Sequence, residues 1–338
     1  MSQQLAHRAG GADPMGPDTK TPLFSSLSAR LFSGSGGALI GLIVLFIILS
    51  IMAPNFLTAR NLINVLDQVT VLGILSVGAT AVIITGGIDL SVGAVLGLST
   101  MVLGWLSHQA GWPMWSAMLA AIAIGALAGC LNGLGITYAQ LPPFIATLAM
   151  MSIARGMANL ITDGQQIVGY PEWFFNLSSE RYLGFFSVVL MVLIALYVAG
   201  WAWLKYRSSG RSIYAIGGGA EVARLAGINV KKVTIWVYVA AGALAGLGGI
   251  VLASRLDSSQ PSAGSGYELD VIAAVVIGGA SLNGGVGRIG GTIIGVLIIG
   301  VLRNGLNLLG VSPFIQQIVI GAVIAIAVMA DVLRRKRS

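Results

Sequence analysis

The stretch Lys205-Tyr-Arg207-Ser-Ser-Gly-Arg211-Ser-Ile-Tyr-Ala-Ile-Gly217-Gly-Gly-Ala-Glu221-Val-Ala-Arg224-Leu-Ala-Gly227-Ile-Asn-Val-Lys231-Lys232 sets the arrangement of the whole chain. It holds six of the nineteen Lys and Arg residues, and long apolar runs flank it on both sides. Basic residues resist crossing a bilayer, so a basic loop between membrane spans belongs on the cytoplasmic side. Residues 220–226 favour helix, with glycines before and after them as breakers. A short helix facing the cytoplasm, in a chain otherwise suited to lipid, suggests a docking point for a soluble partner.

Outward from that loop, composition fixes the class. The chain has 338 residues, of which 56% are hydrophobic and 9% charged, and its mean hydropathy is +0.89. Soluble domains carry about 25% charged residues. The expected fold is therefore an all-α polytopic membrane protein. Glycine, at 47 residues, suits closely crossing helices. The net charge of +7 sits mainly at the ends of apolar runs, which argues for membrane orientation and against nucleic-acid binding. Cys130 is the single cysteine, and His7 and His108 lie far apart. No metal-ligand spacing and no catalytic cluster is present, so no metal, no cofactor and no enzyme activity are expected. No Walker A sequence occurs. Gly285-Val-Gly287-Arg-Ile-Gly290 fits a dinucleotide fingerprint, but no strand precedes it, so it reads as a connection between spans.

A span needs about 20 mostly apolar residues. That rule places about ten, at 38–54, 66–85, 91–107, 113–138, 144–162, 184–205, 232–254, 267–283, 289–308 and 313–332. Residues 1–37 read as a disordered cytoplasmic tail, 38–332 as one transmembrane domain whose cytoplasmic loop is 205–232, and 333–338 as a basic cytoplasmic tail. With both termini inside, fourteen Lys and Arg are cytoplasmic and three, Arg60, Arg181 and Arg255, are outside. Arg155 and Arg303 fall within spans.

Three short matches recur in order. Gly87-Ile-Asp89-Leu-Ser-Val92-Gly-Ala94 resembles Gly266-Tyr-Glu268-Leu-Asp270-Val271-Ile-Ala273, Asn132-Gly-Leu134 resembles Asn304-Gly-Leu306, and Pro143-Phe-Ile145 repeats as Pro313-Phe-Ile315. Spans two to five would then pair with spans seven to ten. An odd number of spans separates equivalent points, so the two copies have opposite topology, a frequent plan in transporters.

A charge at mid-span costs about 2.5–3.5 kcal/mol on insertion scales. Asp89, Asn132, Glu268, Asp270 and Asn304 are the candidates for a translocation path. Two roles are open. The acids line a hydrophilic passage at broken helices, or they cap helix N-termini and join structural salt bridges. The asparagines contact solute or hydrogen-bond between helices. Arg155 and Arg303 have stems long enough to snorkel toward an interface.

Gly86-Gly-Ile-Asp-Leu-Ser-Val-Gly93, Pro143-Phe-Ile-Ala-Thr-Leu148, Gly264-Ser-Gly-Tyr-Glu-Leu269, Ile277-Gly-Gly-Ala-Ser-Leu282 and Asn304-Gly-Leu-Asn-Leu308 resemble the permease subunits of bacterial ribose-type sugar ABC importers. The resemblance covers about residues 38 to 332. It implies a monosaccharide importer of the inner membrane. The partners it implies are a cytoplasmic ABC ATPase that binds ATP, a periplasmic sugar-binding protein, a second permease copy and membrane lipid. Gly218, Glu221, Arg224, Leu225 and Gly227 correspond to the family's ATPase-coupling helix, although Gly219 and Ala220 depart from its usual Asn and acid. The competing class is an ion-coupled secondary transporter using Asp89, Glu268 or Asp270.

Overall fold

The computed structural model describes residues 35–335, so most of the 1–37 tail and the last three residues of the 333–338 tail lie outside the described residues. Ten helices occupy the ten apolar runs: α1 (Ser35–Met52), α2 (Ala59–Ile84), α3 (Val92–His108), α4 (Met114–Thr137), α5 (Pro143–Leu160), α7 (Val188–Tyr206), α10 (Val230–Leu256), α11 (Tyr267–Ile277), α12 (Ile289–Leu308) and α13 (Pro313–Arg335). Three further short helices lie in the connections: α6 (Glu172–Ser179), α8 (Ser208–Gly218) and α9 (Ala220–Leu225). Five helices, α2, α4, α7, α10 and α12, are long and apolar enough to cross a membrane. The helix α13 runs through Arg334 and Arg335, which the sequence assigns to the tail.

Several boundaries move for physical reasons. The helix α2 starts at Ala59, seven residues before the apolar run, because the Thr58 side chain accepts a hydrogen bond from the Asn61 amide. Its first turns carry Arg60, Asn61 and Asp67, which a hydropathy window rejects. The helix α11 has 11 residues, where the sequence suggests a run to 283. It spans about 16 Å at 1.5 Å per residue, roughly half a hydrocarbon core. The expectation of an all-α chain also needs one correction. Strands β1 (Ile167–Val168) and β2 (Ser258–Ser259) form a two-residue antiparallel ribbon, Ile167 opposite Ser259. Pairs that short carry no period to read.

The core is built around α2, which is buried without interruption from Val69 to Ile84. A helix apolar all round belongs inside a bundle. Lipid-facing surface lies elsewhere: Ile51 is 81% exposed, Phe314 78% and Ile318 71%. The most extensive crossing joins α4 to α10. A Cβ on Gly125 would meet the Gly246 amide nitrogen at 3.0 Å, one on Gly246 the Ile122 Cα at 2.8 Å, and one on Gly133 the Ile235 Cα at 2.8 Å. The Gly-x-x-x-Gly spacing thus removes side chains where two backbones touch.

Both long central helices end in breaks that turn back into the bundle. After α2 the chain reverses at Gly86 (φ +82°) and runs without helix to Ser91. After α10 it turns at Asp257, pairs β2 with β1, and reaches α11 by way of Gly264 and Gly266, both at positive φ. The breaks meet where α3 begins: a Cβ on Gly93 would strike the Gly264 carbonyl, and one on Gly264 the Gly93 carbonyl. The packing partners also correspond. The helix α3 lies on α4 and α5 as α11 lies on α12 and α13, and α10 lies on α3 and α4 as α2 lies on α11 and α12.

Candidate functional site

Residues 207–229 leave the bundle between α7 and α10. Arg207, in extended backbone, ends α7. The helix α8 buries Gly210, Ile213 and Ile216, and Gly219 separates it from α9. Gly217 and Gly218 are therefore helical, where the sequence suggests breakers. After α9, Gly227 takes a φ of +83°, a left-handed stop that favours glycine.

Of α9 only Ala223 is buried. Val222 is 72% exposed and Leu225 74%. Beside them the Arg224 guanidinium donates to both Glu221 carboxylate oxygens, at 2.6 and 3.0 Å. That hydrogen bond and the Arg224 charge hold the Glu221 carboxyl below its usual range, and Glu221 in turn raises Arg224. A solvated pair of this kind adds little to folding. It fixes two charges beside two bare apolar side chains, the chemistry of a protein-docking patch. Gly218, Glu221, Arg224, Leu225 and Gly227 all lie on α9 or its flanks.

Gly217 was not among the sequence candidates, yet it ties this element to the bundle. A Cβ there would collide with the Ile84 carbonyl oxygen and the Gly285 nitrogen. The Gly285 amide donates to the Ile84 carbonyl at 2.8 Å, and the Tyr214 hydroxyl donates to the Gly287 carbonyl at 2.8 Å. The helix α8 thus touches the first break and the loop before α12 together. The run Gly217 to Gly219 marked the place, but three glycines in a row do not say which one is packed.

The path candidates fall into three groups. Asp89 accepts from the Ser91 amide at 2.8 Å and the Ser91 hydroxyl at 2.6 Å. Asn132 of α4 donates to that hydroxyl at 3.0 Å. Asp89 and Asn132 therefore share one buried network through Ser91, which no sequence signal singled out. The neighbouring Ile88 carbonyl accepts from Thr147 at 3.3 Å and Tyr238 at 3.4 Å. In the second break Glu268 accepts from the Gly266 amide at 3.2 Å. Asp270, 3% exposed, pairs with Arg303 at 2.6 Å. Asn304 exchanges two hydrogen bonds with Asn61, at 2.9 and 3.0 Å. Broken helices expose backbone groups, and each break here is answered by side chains of neighbouring helices. Both arginines find partners within the bundle. Arg155 donates to the Pro261 and Ala263 carbonyls of the second break, and Arg303 is held by Asp270. A second omission lies at the opposite end of the bundle, where Arg181 pairs with Asp67 and Arg255 donates to the Asp67 carbonyl at 3.3 Å. A charge at the edge of an apolar run was the available signal.

Apolar helices in number, two breaks braced by side chains of neighbouring helices, and one short helix left largely exposed are the build of a multi-pass membrane permease. The chain belongs to the family described as branched-chain amino acid transport system, permease component, which matches residues 61–328. It is 48% identical to the ribose import permease protein of Bacillus subtilis over 303 residues, 89% of this chain and 93% of that one. It is 46% identical to the ribose import permease protein of Escherichia coli K12 over 301 residues, 87% and 92% of the two chains. Against the D-allose transport system permease protein of the same organism the identity is 36% over 308 residues, 90% and 94%. No solved structure matches the chain. It is a multi-pass protein of the bacterial inner membrane.

Proposed function

We propose that the chain is the membrane subunit of a binding-protein-dependent ABC importer for a monosaccharide of the ribose type. The family description names branched-chain amino acids, but the relatives that share nearly half of their residues with this chain are named for ribose, and a more distant one for allose. A cytoplasmic ABC ATPase docks on α9 and supplies ATP hydrolysis. A periplasmic binding protein delivers sugar to the opposite face, and a second copy of the chain completes the membrane unit. Ten spans with both termini inside, arranged as an inverted repeat of α2–α5 and α10–α13, fit the matched packing of the two halves.

The observation that carries the docking role is the α9 surface itself, with the Glu221–Arg224 pair beside exposed Val222 and Leu225. The helix α8, touching the first break through Gly217, gives a route by which an ATPase that opens and closes shifts the bundle. Asp89, Asn132, Glu268, Asp270 and Asn304 act first as internal supports that keep the two breaks in shape. Sugar hydroxyls are costly to dehydrate without replacement bonds, and the external binding protein supplies the selectivity.

Uptake of labelled ribose into proteoliposomes tests this. Uptake should require the ATPase, ATP and the binding protein together, and should survive collapse of ion gradients. Uptake by the chain alone would remove the ATP-driven role. Replacing Glu221 and Arg224 together with alanine should weaken ATPase co-purification on the order of tenfold, about 1.4 kcal/mol, with membrane insertion unchanged.

A further inference from the structure

A cavity of about 600 Å³ opens between the end of α7 and the start of α12. Its walls mix charge, aromatic rings and aliphatic surface: Lys205, Trp201 and Leu204 from α7, Tyr214 from α8, and Arg288 and Ile289 at α12. Lys205 Nζ stands 4.9 Å from the Trp201 ring centroid and 5.2 Å from that of Tyr206. Two π faces therefore hold the ammonium at the mouth of the cavity. Arg288 faces Tyr214, where its charge opposes the upward push that burial gives the phenol pKa. Among the described residues neither Lys205 nor Arg288 has an acidic partner. Two cations facing one cleft call for an anion.

The surface leading into the cleft says what carries that anion. Met191, Ile194, Val198 and Trp201 follow each other at helical spacing along α7, each 43–59% exposed. This stripe ends one turn before Lys205. It is an apolar track about three turns long with a basic head, and acyl chain and phosphate share that order. The amino-terminal residues outside the described part do not fit the cleft by charge, since 1–34 carry Arg8, Lys20 and Arg30 against Asp13 and Asp18.

We propose that this cleft binds an anionic phospholipid of the cytoplasmic leaflet, its phosphate between Lys205 and Arg288 and one acyl chain along the Met191–Trp201 stripe. Basic pockets between helices on the cytoplasmic side are suited to such headgroups. The proposal rests on the orientation given above, with the α8–α9 end inside. Its consequence is regulatory. Tyr214 and the loop before α12 belong both to the lipid cleft and to the contact between α8 and the bundle, so an occupied cleft stiffens the joint that α8 makes with the membrane helices.

The test uses the full chain with its ATPase in nanodiscs of zwitterionic phosphatidylcholine, probed with photoactivatable phosphatidylglycerol. Cross-links should map to the peptides around Trp201–Tyr214 and Gly287–Gly291. Unlabelled phosphatidylglycerol should compete, and neither phosphatidylcholine nor inorganic phosphate should. Lys205→Gln with Arg288→Gln should lower apparent affinity roughly 30-fold, about a factor of five for each basic side chain. Lys205→Arg with Arg288→Lys should keep it. Equal competition by phosphatidylcholine, competition by inorganic phosphate, cross-links on other helices, or a neutral double variant that labels normally would each overturn the site. Should that variant fail to insert, cross-link position and lipid competition on the wild-type chain still decide. Orientation is read separately, by labelling a cysteine placed at Ala220: reagent reaching it from outside intact cells sinks the orientation, whereas loss of the cross-link alone sinks only the lipid site.

Discussion

Asp270 and Arg303 show what a charge inside the bundle requires. Asp270 is almost fully buried and its carboxylate meets Arg303 at 2.6 Å, while the Arg303 Nε has no partner. Losing Arg303 strands the buried Asp270 carboxylate, at a cost of about 3–5 kcal/mol, whereas losing Asp270 leaves Arg303, 35% exposed, partly solvated and costs less. Arg303→Ala should lower the unfolding midpoint of the solubilised protein by several degrees, and Asp270→Ala by less. Asp270→Leu combined with Arg303→Met should recover most of that loss. A double variant as unstable as the two single changes added together would remove the pairing from its role. The sequence named Asp89, Asn132, Glu268, Asp270 and Asn304 because polar groups in apolar runs are visible in a string of letters. It did not name Ser91, which joins Asp89 to Asn132, nor Asn61, which holds Asn304 from 243 positions away. Such partners are ordinary serines and asparagines until the chain folds.

At the scale of elements, the decisive contact is that of α8 with the end of α2. Gly217 lies in helix, yet its missing side chain lets the backbone reach the Ile84 carbonyl and the Gly285 amide. Gly217→Val should leave ATPase co-purification intact and reduce ATP-driven uptake at least about tenfold, since a barrier raised by only ~1.4 kcal/mol suffices. Gly156→Ala in α5, where a Cβ meets nothing within 4 Å, should transport normally. Equal effects from both substitutions would show that the glycines matter only for helix propensity. The apolar runs were readable to within a few residues because hydropathy and length set them. The exceptions have causes. The helix α2 begins early on a side-chain cap, α11 stops short at Gly278, and the ribbon of β1 with β2 exists only because the connection between α5 and α6 lies beside the break after α10.

For the whole molecule, orientation is the property on which function turns. Leu183 is 88% exposed at the end of the bundle opposite α9. A membrane-impermeant maleimide should tag Leu183→Cys in intact spheroplasts, in a Cys130→Ser background, and should tag Ala220→Cys only after the membrane is opened. The reverse pattern would invert the protein and remove α9 from reach of any cytoplasmic ATPase. Local chemistry was enough to establish membrane residence, the position of nearly every long helix, the basic loop and the short helix within it, because hydropathy, charge and propensity act over a few neighbouring residues and are additive along the chain. Which side chains satisfy each break, which glycine bears the contact between α8 and α2, and that Lys205 and Arg288 face one cleft depend on groups tens to hundreds of positions apart. Those pairings arise when helices pack, since burial makes an unpaired polar group costly, and the packing selects the partner.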